Sequence, residues 1–319
     1  MSLNEKIFFS ILNNINCFEK NPNVAVGVSG GPDSIALVFL LNKWIKLRNG
    51  KLSALIFDHR IRDNSKNESL QVKTILKNLN INSVILRARK KNLSKKNMSQ
   101  ARNNRLNGLI NFCKRKKIFH LFLGHHYDDN IETYLIRKIN GSNFEGLGSM
   151  EEISYFNNIQ IFRPFLQIKK KSILKFNKKN NLNFVNDPSN KDLNYTRVKV
   201  RNFLLSKRYH ILVNNDFKVL KKEIPFYQDM IWTSYIKTLS YVSLNELKIN
   251  TNKLFRLDKL IIEKIILISL KFFSEQNFKV RSSKITILIN EIQKSNFKHF
   301  ILKGIIIAKK DKFLSFSKK

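Results

Sequence analysis

The sequence predicts an α/β protein: a parallel sheet flanked by helices in residues 1–212, followed by a smaller, mainly helical domain in residues 213–319 that ends in a strand hairpin. Three observations lead there. Short β-rich apolar runs alternate with helical patterns between Val24 and about Gly124. A glycine-rich turn, Ser29-Gly30-Gly31-Pro32-Asp33-Ser34, joins the first of those runs to the first strong helical pattern, Ile35 to Leu47. Beyond about Leu205 the pattern changes to longer helices, and 319 residues suffice for two domains.

In chain order, Met1 to Lys20 carries Glu5, Glu19 and several asparagines within its apolar pattern, which suits an amphipathic helix and not a signal peptide. Val24–Val28, Leu52–Phe57, Ser83–Leu86 and Phe119–Leu123 read as strands. Ser65-Lys66-Asn67-Glu68 has the form of a capping box, continued by a buried stripe of Leu70, Ile75, Leu76 and Leu79. Ligands of such sheets lie beyond the carboxyl ends of the strands, so Ser29–Ser34, Asp58-His59 and His125–Asp129 are expected on one rim. Asn140–Met150, with three glycines and no periodicity, reads as a flexible loop beside it. Further on, Lys259–Phe273 and Ser283–Gln293 read as helices, and Phe300–Phe316 as a hairpin turning at Lys309-Lys310-Asp311-Lys312.

The formal charge of +36 and pI of about 10.2 point to a polyanionic partner. Part of the lysine and asparagine excess fits codon drift in an AT-rich genome, but drift does not require so few acidic residues. Cys17 and Cys113 are the only cysteines and form no C-x-x-C pair, so neither a zinc site nor a disulfide framework is indicated, and a reducing cytoplasm is the expected compartment. No apolar run approaches the ~20 residues that span a bilayer, so a membrane partner is not expected.

The turn Ser29–Ser34 has the makings of a phosphate cradle. Adjacent Gly30 and Gly31 let the backbone approach an anion, and the N–H groups of the following helix attract it. Gly-Lys-Ser/Thr is missing, so this is not a Walker A loop. Asp33 would repel phosphate by itself and reads as the partner of Mg²⁺ or of a metal–pyrophosphate, with Ser29 and Ser34 supplying hydroxyls.

Other patterns follow in order. Asp58-His59-Arg60-Ile61-Arg62 collects charge at a strand end, suited to a nucleotide or simply to a surface turn. Arg102 and Arg105, three apart, share a helix face and could clamp phosphate or merely be solvated. In His125-His126-Tyr127-Asp128-Asp129-Asn130-Ile131-Glu132-Thr133, Asp129 and Glu132 share a face and make an acidic pocket for an amine, while Asp128 could be only a helix cap. Adjacent histidines rarely converge on zinc. Asn140–Met150, followed by Arg163-Pro164-Phe165, could close over a substrate. Asp187-Pro188 starts a turn leading to Tyr195, and Arg197 and Arg201 pair on the next helix.

The loop resembles that of the PP-loop ATP pyrophosphatases, and seven motifs in order, over residues 24–201, resemble the bacterial tRNA(Ile)-lysidine synthetase family: SGGPDS, DHRIRDNSKNE, ARNNR, HHYDDNIET, GSNFEGLGSM, RPF and DPSNKDLNYTRVKVR. The resemblance implies a Rossmann-like PP-loop domain with an accessory tRNA-binding domain. It also implies a reaction in which ATP adenylates the C2 oxygen of the wobble cytidine in the CAU anticodon of isoleucine tRNA, releasing pyrophosphate, and the ε-amine of L-lysine then attacks C2 and displaces AMP. Lysidine pairs with A instead of G and switches the tRNA from methionine to isoleucine identity.

By that resemblance Ser29, Gly30, Gly31, Pro32, Asp33 and Ser34 hold ATP, Asp33 acts through Mg²⁺, Arg105 and His125 lie near the reacting nucleotide, Asp129 and Glu132 engage lysine, and Arg201 is close to the reaction. Asn130, Ser149 and Val198 depart from the family's usual Gln, Gly and Asn, which bears on fine positioning. The chain is expected to lack the further C-terminal domain of longer members. Cytidine thiolation, the nearest alternative, needs cysteine pairs or an iron–sulfur cluster; an amidotransferase needs an N-terminal catalytic cysteine. A non-catalytic RNA-binding protein would not need Asp33, Asp129 and Glu132 intact.

Overall fold

The computed structural model describes residues 2–15, 17–60, 64–88, 98–156, 158–185, 195–274, 280–294 and 296–318, and it divides into two compact units, Met1–Leu220 and Lys221–Lys319. The first unit opens with helix α1 (Glu5–Ile15), whose Phe8 and Leu12 are buried and whose first turn is capped by Asn4 Oδ1 accepting from Ile7 N (2.8 Å). There follow β1 (Asn23–Val28), α2 (Pro32–Leu47), β2 (Lys51–Asp58), α3 (Ser65–Asn78), β3 (Ser83–Arg87), α4 (Met98–Arg115), β4 (His120–Leu123), α5 (Tyr127–Ile139) and α6 (Phe144–Leu147). The hairpin β5 (Ile153–Phe156) and β6 (Ile159–Phe162), then α7 (Lys170–Lys179), α8 (Thr196–Phe203) and the long α9 (Lys207–Thr238) complete this part of the chain.

The sheet runs β3-β2-β1-β4-β6-β5 and is parallel except for β5. Val24, Ala25 and Val26 are fully buried, as a central strand covered on both faces requires. β1 pairs with β2 on one side, Val24 opposite Leu52, and with β4 on the other, Val24 opposite His120. The chain thus reverses its direction of travel across the sheet between β1 and β4. A crevice opens between strand ends at such a reversal, and the turns leaving both strands line it.

Two local details differ from the sequence reading. Ser65 does not cap α3: Asn64 already has helical backbone angles, Glu68 N donates to Asn64 O (3.0 Å), and the Asn64 side chain makes no capping hydrogen bond. Asn140–Met150 contains the one-turn helix α6, capped by Asn143 Oδ1, and is fastened to α5: Arg137 Nη1 donates to Gly146 O (2.5 Å), and Asn130 exchanges two hydrogen bonds with the Met150 backbone.

The second unit contains β7 (Leu239–Val242), β8 (Glu246–Asn250), α10 (Thr251–Leu254), α11 (Lys259–Phe272), α12 (Ser282–Ile292), β9 (His299–Leu302), β10 (Ile305–Lys310) and β11 (Phe313–Lys318). The terminal hairpin β10–β11 belongs to a five-stranded antiparallel sheet, β7-β8-β11-β10-β9, whose Leu247, Ile249, Ile307, Leu314 and Phe316 form one core with Ile265, Ile266 and Leu270 of α11 and Ile285 and Leu288 of α12. No helix among the described residues is long and apolar enough to cross a membrane.

Candidate active site at the sheet crevice

The turn from β1 to α2 is shaped by Gly30 and closed by Ser34. Gly30 has φ +86°, a left-handed conformation that an L side chain rarely adopts, and its carbonyl accepts from Val185 N (2.9 Å). Ser34 is buried; its hydroxyl donates to Gly31 O (2.9 Å) and accepts from Ser29 N (3.2 Å), with Ser29 Oγ at 3.3 Å. The two hydroxyls therefore brace the turn itself. Gly31 caps α2 without a side chain and Pro32 follows, so no capping group covers the first turn of the helix.

The β4–α5 turn lies directly beneath. A Cβ on Gly124 would stand 3.2 Å from Asp33 C, Asp33 O and Ser34 N, which are backbone atoms of the cradle. Gly124→Ala is expected to push that turn outward and raise the Kd for a non-hydrolysable ATP analogue by about 10-fold or more, with little change in circular dichroism; an unchanged Kd would show that the cradle tolerates displacement.

Asp33 Oδ1 is buried and has no hydrogen-bond partner among the described residues, while Oδ2 pairs with the ammonium of Lys170 from α7. His126 Nε2 lies 3.8 Å from Asp33 Oδ1 and 3.5 Å from Asp129 Oδ2, linking the two turns. His126 caps α5: its Nδ1 accepts from Asp129 N (3.3 Å), and Asp129 Oδ2 accepts from His126 N (3.1 Å). The cap of α5 is therefore His126 and not Asp128, whose Oδ2 instead accepts from Lys170 N (2.7 Å) at the start of α7.

Along α5, Glu132 is only 3% exposed and accepts from Arg201 through both oxygens, from Nε at 2.8 Å and Nη2 at 3.1 Å. Arg197, one turn earlier on α8, donates to Thr133 Oγ1 (2.8 Å) and stands 4.0 Å from Asp129 Oδ1. Burial works to raise the Asp129 carboxyl, but His126, His125 and Arg197 outweigh it and hold it below the usual carboxylate range. Asp129 is thus an ionised carboxylate, whereas Glu132 is already matched by a guanidinium.

A cationic wall faces this pair. Burial, then repulsion from Arg197, lowers the Arg105 guanidinium below its ordinary value, with Asp129 opposing. Desolvation and the repulsion of Arg197 and Arg105 bring Arg102 down to about 10. Arg163 is braced by Glu151 O (3.0 Å) and Ser154 Oγ (2.8 Å), leaving its Nε without a partner among the described residues, as is Arg197 Nε.

His125 sits among these groups. Burial chiefly, opposed by Asp129 and reinforced by Arg163, Arg105 and Arg197, lowers its imidazole to about 3, so it is neutral at physiological pH. Between an ordinary 6.5 and about 3, the unfolded chain binds a proton that the folded chain refuses. The stability associated with His125 is therefore complete above pH 6.5 and is lost as pH falls, by up to ~1.4 kcal/mol per unit. Urea melts at pH 7, 6 and 5 are expected to show a shallower pH dependence in His125→Gln than in the parent chain; parallel curves would contradict this.

The residues singled out from sequence thus converge: Ser29–Ser34, Asp129, Glu132 and Arg201 through contacts, while Arg105 and His125 lie within electrostatic reach of Asp129 and Arg197. Asp58 is buried and accepts from Arg60 N (2.9 Å) in its own turn. Ile61, Arg62 and Asp187–Asp192 lie outside the described residues. Lys170 and the bridging role of His126 were not anticipated; Lys170 is one of three consecutive lysines and only packing distinguishes it.

Comparison with known proteins agrees with the fold and the motifs. Residues 3–208 match the model of a PP-loop domain. A tRNA(Ile)-lysidine synthase of Orientia tsutsugamushi is 37% identical over 207 residues, covering 65% of this chain and 47% of that protein. The tRNA(Ile)-lysidine synthase of Wolbachia pipientis wMel is 32% identical over 317 residues, covering 96% of this chain and 72% of the relative. The chain therefore spans about half the length of the first and nearly three quarters of the second. A U34-tRNA thiolase of Methanococcus maripaludis, solved with its [4Fe-4S] cluster, shares the fold: TM-score 0.56 at 17% identity, covering 68% of this chain and 78% of that one. With the PP-loop domain filling most of its length and a synthase aligned along nearly all of it, the chain belongs to the tRNA(Ile)-lysidine synthase family.

Proposed function

We propose that this protein joins L-lysine through its ε-amine to C2 of the wobble cytidine in the CAU anticodon of isoleucine tRNA, after ATP has adenylated that base, with release of pyrophosphate and AMP. The observation that supports the reading is the placement of an ionised carboxylate, Asp129, one imidazole away from Asp33 of the glycine-rich turn, with the Arg197 guanidinium 4.0 Å from it. An ATP, a lysine ammonium and an RNA phosphate find complementary charge within one crevice.

The residues fit a magnesium ion. Mg²⁺ keeps several waters and needs only one or two carboxylates beside substrate phosphates, and Asp33 Oδ1, buried and without a hydrogen bond among the described residues, would supply such a donor. When bound, Mg²⁺ would neutralise charge on the departing pyrophosphate.

The chain's own groups divide the remaining work. Ser29–Ser34 seat the phosphates, and Arg105 lies toward the reacting nucleotide with neutral His125 beside it as a hydrogen-bonding group. Asp129 holds the lysine ammonium, whose ordinary pKa of about 10.4 means that a proton must leave before attack on C2. A carboxylate held below its usual range binds an ammonium well but is a weak final acceptor, so Asp129 positions the amine and the proton passes to solvent water. Glu132 acts through Arg201, keeping that guanidinium aimed into the crevice.

The test is incorporation of labelled L-lysine into an isoleucine tRNA transcript with a CAU anticodon, with ATP and Mg²⁺, beside methionine tRNA and no-ATP controls. ATP-dependent labelling of the isoleucine transcript alone is expected. tRNA binding without ATP cleavage would indicate a binding protein, and cleavage without lysine transfer a different nucleophile. With a formal charge of +36, tRNA affinity is expected to fall on the order of 10³-fold between 50 and 200 mM salt; a salt-insensitive filter-binding isotherm would remove phosphate tracking from the account.

A further inference from the structure

The acidic residue of the cradle already has a cation. Lys170 is the first residue of α7, and that helix is anchored on two sides: Lys170 N donates to Asp128 Oδ2 of α5 (2.7 Å), and Asn177 Nδ2 donates to Pro32 O of the cradle (2.9 Å). Phe176 packs edge-on against Phe39 of α2, and Ile173 is fully buried, so the helix start is a fixed point. From it the Lys170 ammonium reaches Asp33 Oδ2, while the other carboxylate oxygen has no hydrogen-bond partner among the described residues. The Lys170 side chain keeps 35% of its surface exposed, so the pairing lies at the mouth of the site.

A lysine on a flexible stem is a point charge that binds carboxylate and phosphate alike. An ammonium and a divalent cation at one carboxylate repel each other, so the arrival of one favours departure of the other. We propose that Lys170 is a displaceable counter-ion: in the free protein it holds Asp33 Oδ2, and when a divalent cation takes Asp33 it moves to the pyrophosphate oxygens of the bound nucleotide. The second half of this inference rests on the proposed use of ATP; the first half does not. Lys170 would keep Asp33 in place before metal and nucleotide arrive and add positive charge beside the leaving group afterwards.

The experiment is Mn²⁺ binding by electron paramagnetic resonance on the full chain, with and without α,β-methylene-ATP, for the parent, Lys170→Met and Lys170→Arg. Without nucleotide, Lys170→Met is expected to bind Mn²⁺ about 10-fold more tightly than the parent, because its competitor is gone. For the nucleotide, Lys170→Met is expected to raise the Kd by about 10-fold, and Lys170→Arg to stay near the parent. Equal Mn²⁺ affinity in the parent and Lys170→Met would overturn the counter-ion role. Tighter Mn²⁺ binding with unchanged nucleotide affinity would overturn the transfer to phosphate. A parent chain that binds no nucleotide would defeat the proposed use of ATP, while the Mn²⁺ comparison would still decide the first half. Lys170→Arg keeps the positive charge, so a loss confined to Lys170→Met cannot be assigned to the helix start alone.

Discussion

Asp33→Asn is expected to reduce ATP-dependent pyrophosphate release by at least ~10²- to 10³-fold, the scale seen when one pre-set electrostatic group is removed from a reacting phosphate or oxyanion. The fold should survive. Asp33 is partly exposed, its ion pair with Lys170 is of the kind whose loss costs about 1 kcal/mol or less, and the turn is held by Ser34 and Gly31, which the substitution leaves untouched. The amide keeps a carbonyl oxygen of similar shape but loses the charge that would hold a divalent cation. Pyrophosphate release and thermal melting, measured side by side, separate the two effects. Full turnover in Asp33→Asn would sink the assignment of Asp33 to metal and phosphate chemistry.

Arg201→Ala is expected to carry the larger structural penalty. It leaves the Glu132 carboxylate, 3% exposed, without the guanidinium that occupies both of its oxygens. Breaking a fully buried pair costs ~3–5 kcal/mol; Arg201 retains solvent contact, so about 2–3 kcal/mol is expected here. Glu132→Gln combined with Arg201→Ala should recover at least ~1 kcal/mol of that loss, since an amide tolerates burial better than an unpaired carboxylate. Activity should not recover with it, because the guanidinium is still gone. Urea melts of the single and double variants give the coupling, and strictly additive losses would contradict a direct Glu132–Arg201 pair.

The parts of this molecule that were legible from sequence are those whose cause is local. Val24–Val28 and Leu52–Phe57 lie within the observed β1 and β2 because strands covered on both faces need predominantly apolar runs, and Gly30 marks a turn whose left-handed backbone other residues resist. What escaped depends on partners distant in the chain. Glu132 and Asp129 look alike on a helical face, and only the fold shows that Glu132 is paired through both oxygens with Arg201, 69 residues away, while Asp129 faces His126 and Arg197. The β5–β6 hairpin turns at Asn158, with φ +64°, a residue that tolerates the left-handed region, but four-residue strands offer little periodicity. β8 did alternate, with Leu247 and Ile249 inward, yet its length is that of many loops.

The first turns of α9 bind the back of the helix that carries the site. Tyr127 Oη donates to Asn214 Oδ1 and Tyr134 Oη to Asp216 Oδ2, both at 2.6 Å, Lys138 pairs with the same Asp216, and Phe217 packs against both tyrosine rings. The boundary drawn by family likeness, at residue 208, therefore falls short of the mechanical boundary. A protein trimmed at residue 208 would lose the hydroxyl partners and ring packing that seat α5, whereas the first compact unit runs through Leu220 and keeps them. Residues that belong by lineage to one module thus borrow their rigidity from the segment that follows it.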